Sequence, residues 1–197
     1  MSDSTDVNQS RRNIIVASAT AGGVAAVATA IPFAASMLPS ERAKAMGAPI
    51  EADISALQPG ELQILEWRGK PVWVLKRSKE MIDAIKKSEP NVADPNSEVP
   101  LQPDYAKNEH RSIKPDLVVL EGVCTHLGCS PQYKGPEAKG EMGADWNGGF
   151  YCPCHGSKFD LAGRVYKGVP APVNLHVPPY TYLSDGRLLI GDDKKGA

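Results

Sequence analysis

No surplus of positive charge is present: 22 Lys and Arg stand against 23 Asp and Glu, for a formal net charge of -1. Without a basic excess there is little to neutralise phosphates, which argues against nucleic acid as a partner. Aromatic residues are scarce at 6%, whereas 17 prolines point to a fold rich in loops. Cysteine and histidine are scarcer still, with four of each. Charged residues are missing altogether between Asn13 and Ser40, and no internal repeat is found. The chain has 197 residues with 42% hydrophobic content, enough for one sizeable domain and an appendage.

The uncharged stretch is also apolar. From Ile14 to Leu38 it reads IIVASATAGGVAAVATAIPFAASML. At ~1.5 Å per residue, a helix of this length exceeds the ~30 Å hydrocarbon core of a membrane. A cleaved secretory signal with "ATA" (Ala28 to Ala30) at the cleavage site is the alternative. A retained anchor is favoured because the apolar run continues past that point and through Pro32, and Pro is tolerated in membrane helices. Arg11 and Arg12 precede the run. By the positive-inside rule they hold the N-terminus in the cytoplasm, and they fit a twin-arginine export signal, the route of proteins that fold before translocation. The expected organisation is a cytoplasmic tail over residues 1–12, an anchor over 13–38 and a linker over 39–49. A periplasmic domain then fills 50–197.

That domain reads as mostly short strands. "ELQILEW" and "PVWVLKR" flank Arg68-Gly69-Lys70 and predict a hairpin. "YTYLS" and "RLLIG" flank Asp185-Gly186, a strong two-residue hairpin signal. "DLVVLEG", Asp116 to Gly122, predicts a buried strand. A helix is predicted over Ser78 to Lys87, with Ser78 as cap, Glu80 early, and Lys86 and Lys87 late. The polar segment from Glu89 to Asp116 carries five prolines and reads as a long loop or insertion with no function attached. The body is all-β in character.

All four cysteines and two of the histidines fall in "CTHLGC" (Cys124 to Cys129) and "CPCHGS" (Cys152 to Ser157). A plant-type ferredoxin cluster needs C-x4-C-x2-C, but Gln132 stands where the third cysteine belongs. A C2H2 zinc site needs its cysteines paired in one patch and its histidines in another, whereas each patch here mixes the two. A zinc site drawing on both patches stays open. A purely disulfide framework leaves His126 and His155 without a role, and a Cys-His catalytic pair leaves sulfurs unused. C-x-H in one patch and C-x-x-H in the other supply the two Cys and two His of a Rieske-type [2Fe–2S] cluster, in which two His replace two Cys on one iron. Cys129 and Cys154 are then spare, and can bridge the loops if both point away from the metal.

On these boxes the sequence resembles the Rieske proteins of cytochrome bc-type complexes. The likeness extends to the basic N-terminus with a single anchor, to "AKAMGA" as hinge, and to "PAPVNL" (Pro170 to Leu175) as the family's proline loop. It covers almost the whole chain. It implies an antiparallel β sandwich with an inserted cluster-binding part, about 122–175, behind one transmembrane helix. It implies Cys124, His126, Cys152 and His155 as ligands of one [2Fe–2S] cluster per subunit, and a Cys129–Cys154 disulfide. Gly128 and Gly156 would let backbone amides approach the cluster, although turn geometry also explains them. Ser157 resembles the serine that donates to a bridging sulfide, against the plain reading of an exposed serine. Phe159 stands where many members carry a Tyr whose hydroxyl bonds a ligand sulfur. His110 and His176 read as surface or packing residues.

The implied function is that of the iron–sulfur subunit of a ubiquinol–cytochrome c reductase. It takes one electron from ubiquinol at cytochrome b and passes it to a c-type cytochrome, contributing to proton translocation. His155 is the candidate for the hydrogen bond to quinol. The expected setting is the inner membrane, in contact with lipid, in a dimeric complex. Two rivals are the small Rieske subunit of a periplasmic molybdenum oxidase and a soluble Rieske ferredoxin or oxygenase domain. The anchor weighs against both, and the extra cysteines against the second.

Overall fold

The computed structural model describes residues 8–193, so part of the expected tail over 1–12 lies outside the described residues. The chain divides into two units, residues 1–45 and 46–197. The first contains helix α1 (Gln9–Ala35), long and apolar enough to cross a membrane. It starts earlier than the apolar run because Asn8 caps it, its side chain accepting from the Arg11 N–H at 3.1 Å. It ends soon after Pro32, whose ring removes a hydrogen bond and crowds the preceding turn. Inside the span Ser18, Thr20 and Thr29 turn their hydroxyls back onto the carbonyls of Ile14, Val16 and Ala25. Each thereby satisfies its own polar group without a partner or water. The linker segment contains a short helix, α2 (Glu41–Met46).

The second unit is built from nine strands among the described residues: β1 (Ile50–Asp53), β2 (Leu62–Trp67), β3 (Lys70–Lys76), β4 (Leu117–Glu121), β5 (Gln132–Lys134), β6 (Gly149–Cys152), β7 (Ser157–Asp160), β8 (Tyr180–Ser184) and β9 (Arg187–Ile190). They form three antiparallel sheets of three, ordered β1-β9-β8, β2-β3-β4 and β5-β6-β7. Their inner faces share one core that includes Val74, Leu120, Phe150, Phe159, Leu188 and Ile190. Fully burying such a side chain contributes ~1.5–3 kcal/mol. Trp73 of β3 stacks on Phe150 of β6, with ring centroids 4.6 Å apart, and so joins the second sheet to the third.

The β2–β3 hairpin turns on Arg68 and Gly69 alone, both at positive φ, and Lys70 already belongs to the strand. The 185–186 hairpin forms too, but neither Asp185 nor Gly186 has positive φ, so its turn is not the type I′ that Asp-Gly suggests. A register shift between Tyr182 and Ser184 absorbs the difference. Helix α3 (Lys79–Ser88) starts where predicted, the Ser78 side chain accepting from the Met81 N–H.

The segment from Glu89 to Asp116 is a long loop as expected, with only two short 3-10 turns, but it is not a loose one. Val92, Ser97, Ala106, Arg111 and Ser112 are buried in it. The Tyr105 hydroxyl donates to the Tyr180 carbonyl at 2.9 Å and accepts from the Tyr180 N–H at 2.8 Å. The segment is therefore a strap stitched to β8. It also carries Arg111, one of three buried arginines with Arg77 and Arg164. Arg77 donates to the carbonyls of His110 and Leu161 and to Ser112 Oγ at 2.8 Å. Arg164 pairs with buried Asp160 at 2.7 Å and donates to the Ile85 carbonyl. Burial pushes the Arg77 and Arg111 guanidiniums down to about 10, which leaves both charged at neutral pH.

Candidate metal centre

Two loops carry the Cys/His boxes. The first leaves the end of β4, and the second is the turn between β6 and β7. They close in the same way: the Gly128 N–H donates to the Cys124 carbonyl at 3.0 Å, and the Gly156 N–H to the Cys152 carbonyl at 2.9 Å. Both glycines hold left-handed φ values, 83° and 78°, and no protein atom lies within 4 Å of where a Cβ would stand. The conformation, not crowding by the protein, is what calls for glycine here. A further bond runs from the Cys124 N–H to the Cys129 carbonyl at 2.8 Å.

Cys129 and Cys154 are joined as a disulfide, with Cα atoms 6.7 Å apart and a sequence separation of 25. The link ties one ligand loop to the other. Three sulfurs, those of Cys129, Cys152 and Cys154, lie within 4.8 Å of one another. Two of them are committed to the disulfide and have no thiolate to offer a metal. Cys124 and Cys152 are free and buried, close enough for one thiol to act on the other. Burial pushes the Cys152 thiol up and the Cys124 contact adds to this, while the backbone N–H groups of Cys154 and His155 point at its sulfur and pull it down. Those amides suit a sulfur that carries charge.

The imidazoles lie together at the surface. His126 and His155 have ring centroids 4.8 Å apart, edge to face, with His126 half-buried and His155 exposed. Leu127 beside them is 71% exposed. The donor set is thus two adjacent thiols on the inside and two adjacent imidazoles on the outside. It fits a [2Fe–2S] group held by sulfur at one iron and by nitrogen at the other.

The segment Pro170 to Leu175 is fastened to both loops. Thr125 Oγ1, between Cys124 and His126, donates to the Val173 carbonyl at 2.7 Å. Ser157 Oγ accepts from the Ala171 N–H at 3.0 Å. Ser157 is fully buried, so the exposed reading of this serine fails, and accepting that bond leaves its own proton free to donate. In the β6–β7 register Cys152 faces Ser157 and Phe150 faces Phe159, which puts Ser157 and Phe159 on one side of β7. Phe159 is fully buried. His110 lies on the strap, its Nε2 3.1 Å from Glu109, and His176 is exposed.

Thr125 and Asn174 were not singled out by sequence reasoning. The Asn174 side chain accepts from the Val165 N–H at 2.9 Å and donates to the Asp94 carbonyl at 3.1 Å, pinning the loop from its other side. Their partners are backbone groups, which leave no mark in residue identity. A cavity of about 480 Å³ lies elsewhere, between Met142–Trp146 and Tyr166–Val169, and none of the cysteines, nor His126 or His155, lines it.

Residues 105–180 match the family model described as the Rieske [2Fe-2S] domain. Residues 1–40 match that described as the Ubiquitinol-cytochrome C reductase Fe-S subunit TAT signal. The ubiquinol-cytochrome c reductase iron-sulfur subunit of Allochromatium vinosum is 56% identical over 192 residues, 97% of this chain and 93% of that one. Its counterpart from Rhodospirillum rubrum is 40% identical over 185 residues, 92% of each chain. A solved chain of a hyperthermophilic respiratory Complex III is 28% identical with a TM-score of 0.47, over 89% of this chain and 98% of that one.

Proposed function

The chain belongs to the Rieske iron–sulfur subunits of ubiquinol–cytochrome c reductase, and on that footing we propose which of its residues carry the electron. It is an electron-transfer subunit with a [2Fe–2S] cofactor, it works with cytochrome b and cytochrome c1, and α1 makes it a membrane-anchored subunit. Cys124 and Cys152 bind one iron, and His126 and His155 the other. When bound, the cluster supplies a one-electron acceptor whose potential neutral imidazoles raise to the ~-150 to +300 mV range of Rieske centres.

The observation that carries this reading is the pairing itself: buried free thiols side by side, and imidazoles 4.8 Å apart at the surface. His155, the more exposed ring, accepts the hydrogen bond from ubiquinol, and exposed Leu127 gives the apolar contact beside it. The disulfide and the loop 170–175 hold the ligand loops together and keep water from the thiols.

Further out, residues 1–12 stay in the cytoplasm, 13–38 cross the inner membrane once, and 39–49 act as a hinge. Residues 50–197 form the periplasmic domain, with the cluster held by about 122–175. Arg11 and Arg12 support that orientation, and the disulfide supports an oxidising compartment. The complex it enters is dimeric by the family likeness.

The test is electron paramagnetic resonance of the reduced full-length protein beside its Cys124→Ser, His126→Leu, Cys152→Ser and His155→Leu variants. Each variant is expected to lose the Rieske signal and most of its iron. A variant that keeps a wild-type spectrum removes its residue from the ligand set.

A further inference from the structure

Arg111 is fully buried at φ 50°, in the left-handed region that a side chain other than glycine rarely enters. Its guanidinium faces no carboxylate directly. Nη1 donates to the carbonyls of Ala162 at 3.2 Å and Gly163 at 3.3 Å. Nη2 donates to the Leu175 carbonyl at 2.7 Å and to Gln102 Oε1 at 3.0 Å. All four acceptors are neutral oxygens. The nearby buried carboxylate, Asp160, is committed to Arg164. Gln102 is held in turn, its amide donating to the carbonyls of Ser97 and Val99 on the strap.

These bonds place Arg111 at one end of a short rigid path. The Leu175 N–H donates to the Gly163 carbonyl at 2.8 Å, so the guanidinium brackets the point where loop 170–175 joins the turn after β7. Two residues back, the Val173 carbonyl takes the Thr125 hydroxyl next to Cys124, and the Ala171 N–H reaches Ser157. Arg111 and the Gly163 bond thus hold one end of a loop whose earlier residues touch both ligand loops. Stability alone is a poor account of such a residue, because a well-packed apolar side chain often serves a buried site better than an ion. The left-handed backbone at Arg111 shows that this position is held firmly by its surroundings.

We propose that Arg111 is a positioning residue for electron transfer: it fixes the seat of loop 170–175 against the two ligand loops and so sets the potential of the cluster. The inference rests on the ligand set proposed above. Two contributions share one sign. The seated loop keeps Ser157 in place to donate toward the cluster, and hydrogen bonds of this kind tune a metal group. A fixed cation that no carboxylate pairs directly also favours the state with one more electron.

The experiment compares full-length wild type with Arg111→Lys and Arg111→Met. It uses midpoint potentials from titrations monitored by electron paramagnetic resonance, and hydrogen exchange at the Ala171 and Leu175 amides read by mass spectrometry on the same cluster-bearing protein. Arg111→Met is expected to weaken electron affinity about tenfold, a fall of about 59 mV for one electron. Arg111→Lys, which keeps charge but loses the fork, should fall part of the way, and both should exchange faster at the two amides. Should the Met variant fail to fold, Gln102→Leu removes one acceptor and leaves the guanidinium in place, and a smaller fall is expected. A wild-type potential in variants that carry the cluster overturns the proposal. A lower potential with unchanged exchange assigns the effect to charge alone and overturns the positioning role. Failure of the ligand reading is separate, since it appears as a missing Rieske spectrum in wild type or a surviving one in the ligand variants.

Discussion

The seat formed by Cys124, Cys152 and loop 170–175 and the arginine centre formed by Arg77, Arg111, Arg164 and Asp160 are both buried and both polar, but only in the arginine centre do most of the charged groups find partners within this chain. In the arginine centre the donors end on carbonyls of this chain, on Ser112, on Gln102 or on Asp160, and only Arg77 Nε and Arg111 Nε among them have no acceptor. In the seat the two thiols have each other, and backbone N–H groups point at the Cys152 sulfur. Burying polar groups is costly unless they are bonded, so each centre states what it is for. The arginine centre is largely completed by the fold, whereas the seat keeps two free thiols that the proposed ligand set gives to a group the chain does not encode. Arg111 links them, because one of its acceptors is the Leu175 carbonyl at the end of the seat's loop.

The sharpest way to break this contrast is to damage the self-contained centre. Asp160 accepts from Arg164 Nε at 2.7 Å and, through its other oxygen, from the N–H groups of Ala162 and Arg164. Asp160→Ala leaves a buried guanidinium without its counter-charge, and breaking such a pair costs ~3–5 kcal/mol. Urea unfolding is the measurement. The expected result is a large loss of stability with the Rieske spectrum retained in the protein that remains folded. A variant that keeps full stability would mean that the pair is not the self-sufficient unit its geometry describes.

The second break falls on the seat. Cys129→Ser opens a link between positions 25 apart in sequence, and closing a loop of that size contributes ~3–4 kcal/mol in the chain-entropy model. Neither disulfide sulfur is a ligand in the proposed set. Cluster retention should nevertheless fall, because the two ligand loops lose their covalent tie. Iron content and thermal midpoint, read on the same preparation, check this. Equal values in mutant and wild type would leave the loops held by Thr125, Ser157 and loop 170–175 alone.

The contrast also explains what could be read in advance. Cys and His are rare, and "CTHLGC" with "CPCHGS" concentrates them at spacings that few chemistries use, so the two boxes stood out, and the structure brings their loops together. The β2–β3 and β8–β9 hairpins were legible for a similar local reason, because tight turns demand particular residues. Arg111 was not. An arginine in a polar, proline-rich segment reads as solvent-exposed, since Arg is almost never fully buried unless paired. Its partners here are mostly backbone carbonyls, which every residue possesses and no sequence distinguishes. The segment from Glu89 to Asp116 is the loop its prolines suggested, but its burial was not legible for that reason. Helix α1 shows a milder case: its apolar length was plain, but its start at Gln9 depended on the cap at Asn8.

The smallest expected effect is also the most discriminating. Ser157→Ala removes a buried hydroxyl that accepts from Ala171 and has a proton to give, so it should lower the midpoint potential. Phe159 lies two residues on, on the same side of β7, fully buried and unable to donate. Phe159→Tyr adds a hydroxyl in a closed space, and such a group either finds an acceptor or destabilises the fold. If it reaches a ligand sulfur, it favours the reduced cluster and the potential rises. A hydrogen bond to a charged group contributes ~1.5–3 kcal/mol, and only the difference between oxidised and reduced states counts. With ~59 mV per tenfold change, rises of some tens of millivolts up to ~100 mV follow. If the hydroxyl reaches nothing, an unsatisfied buried group costs ~1–3 kcal/mol and the potential stays where it was. Midpoint potential and thermal midpoint therefore move in different combinations. A raised potential with the melting point held puts the para position of residue 159 at the ligand sulfur. An unmoved potential with a lowered melting point puts it against the apolar core, on the side where Phe150 stacks on Trp73.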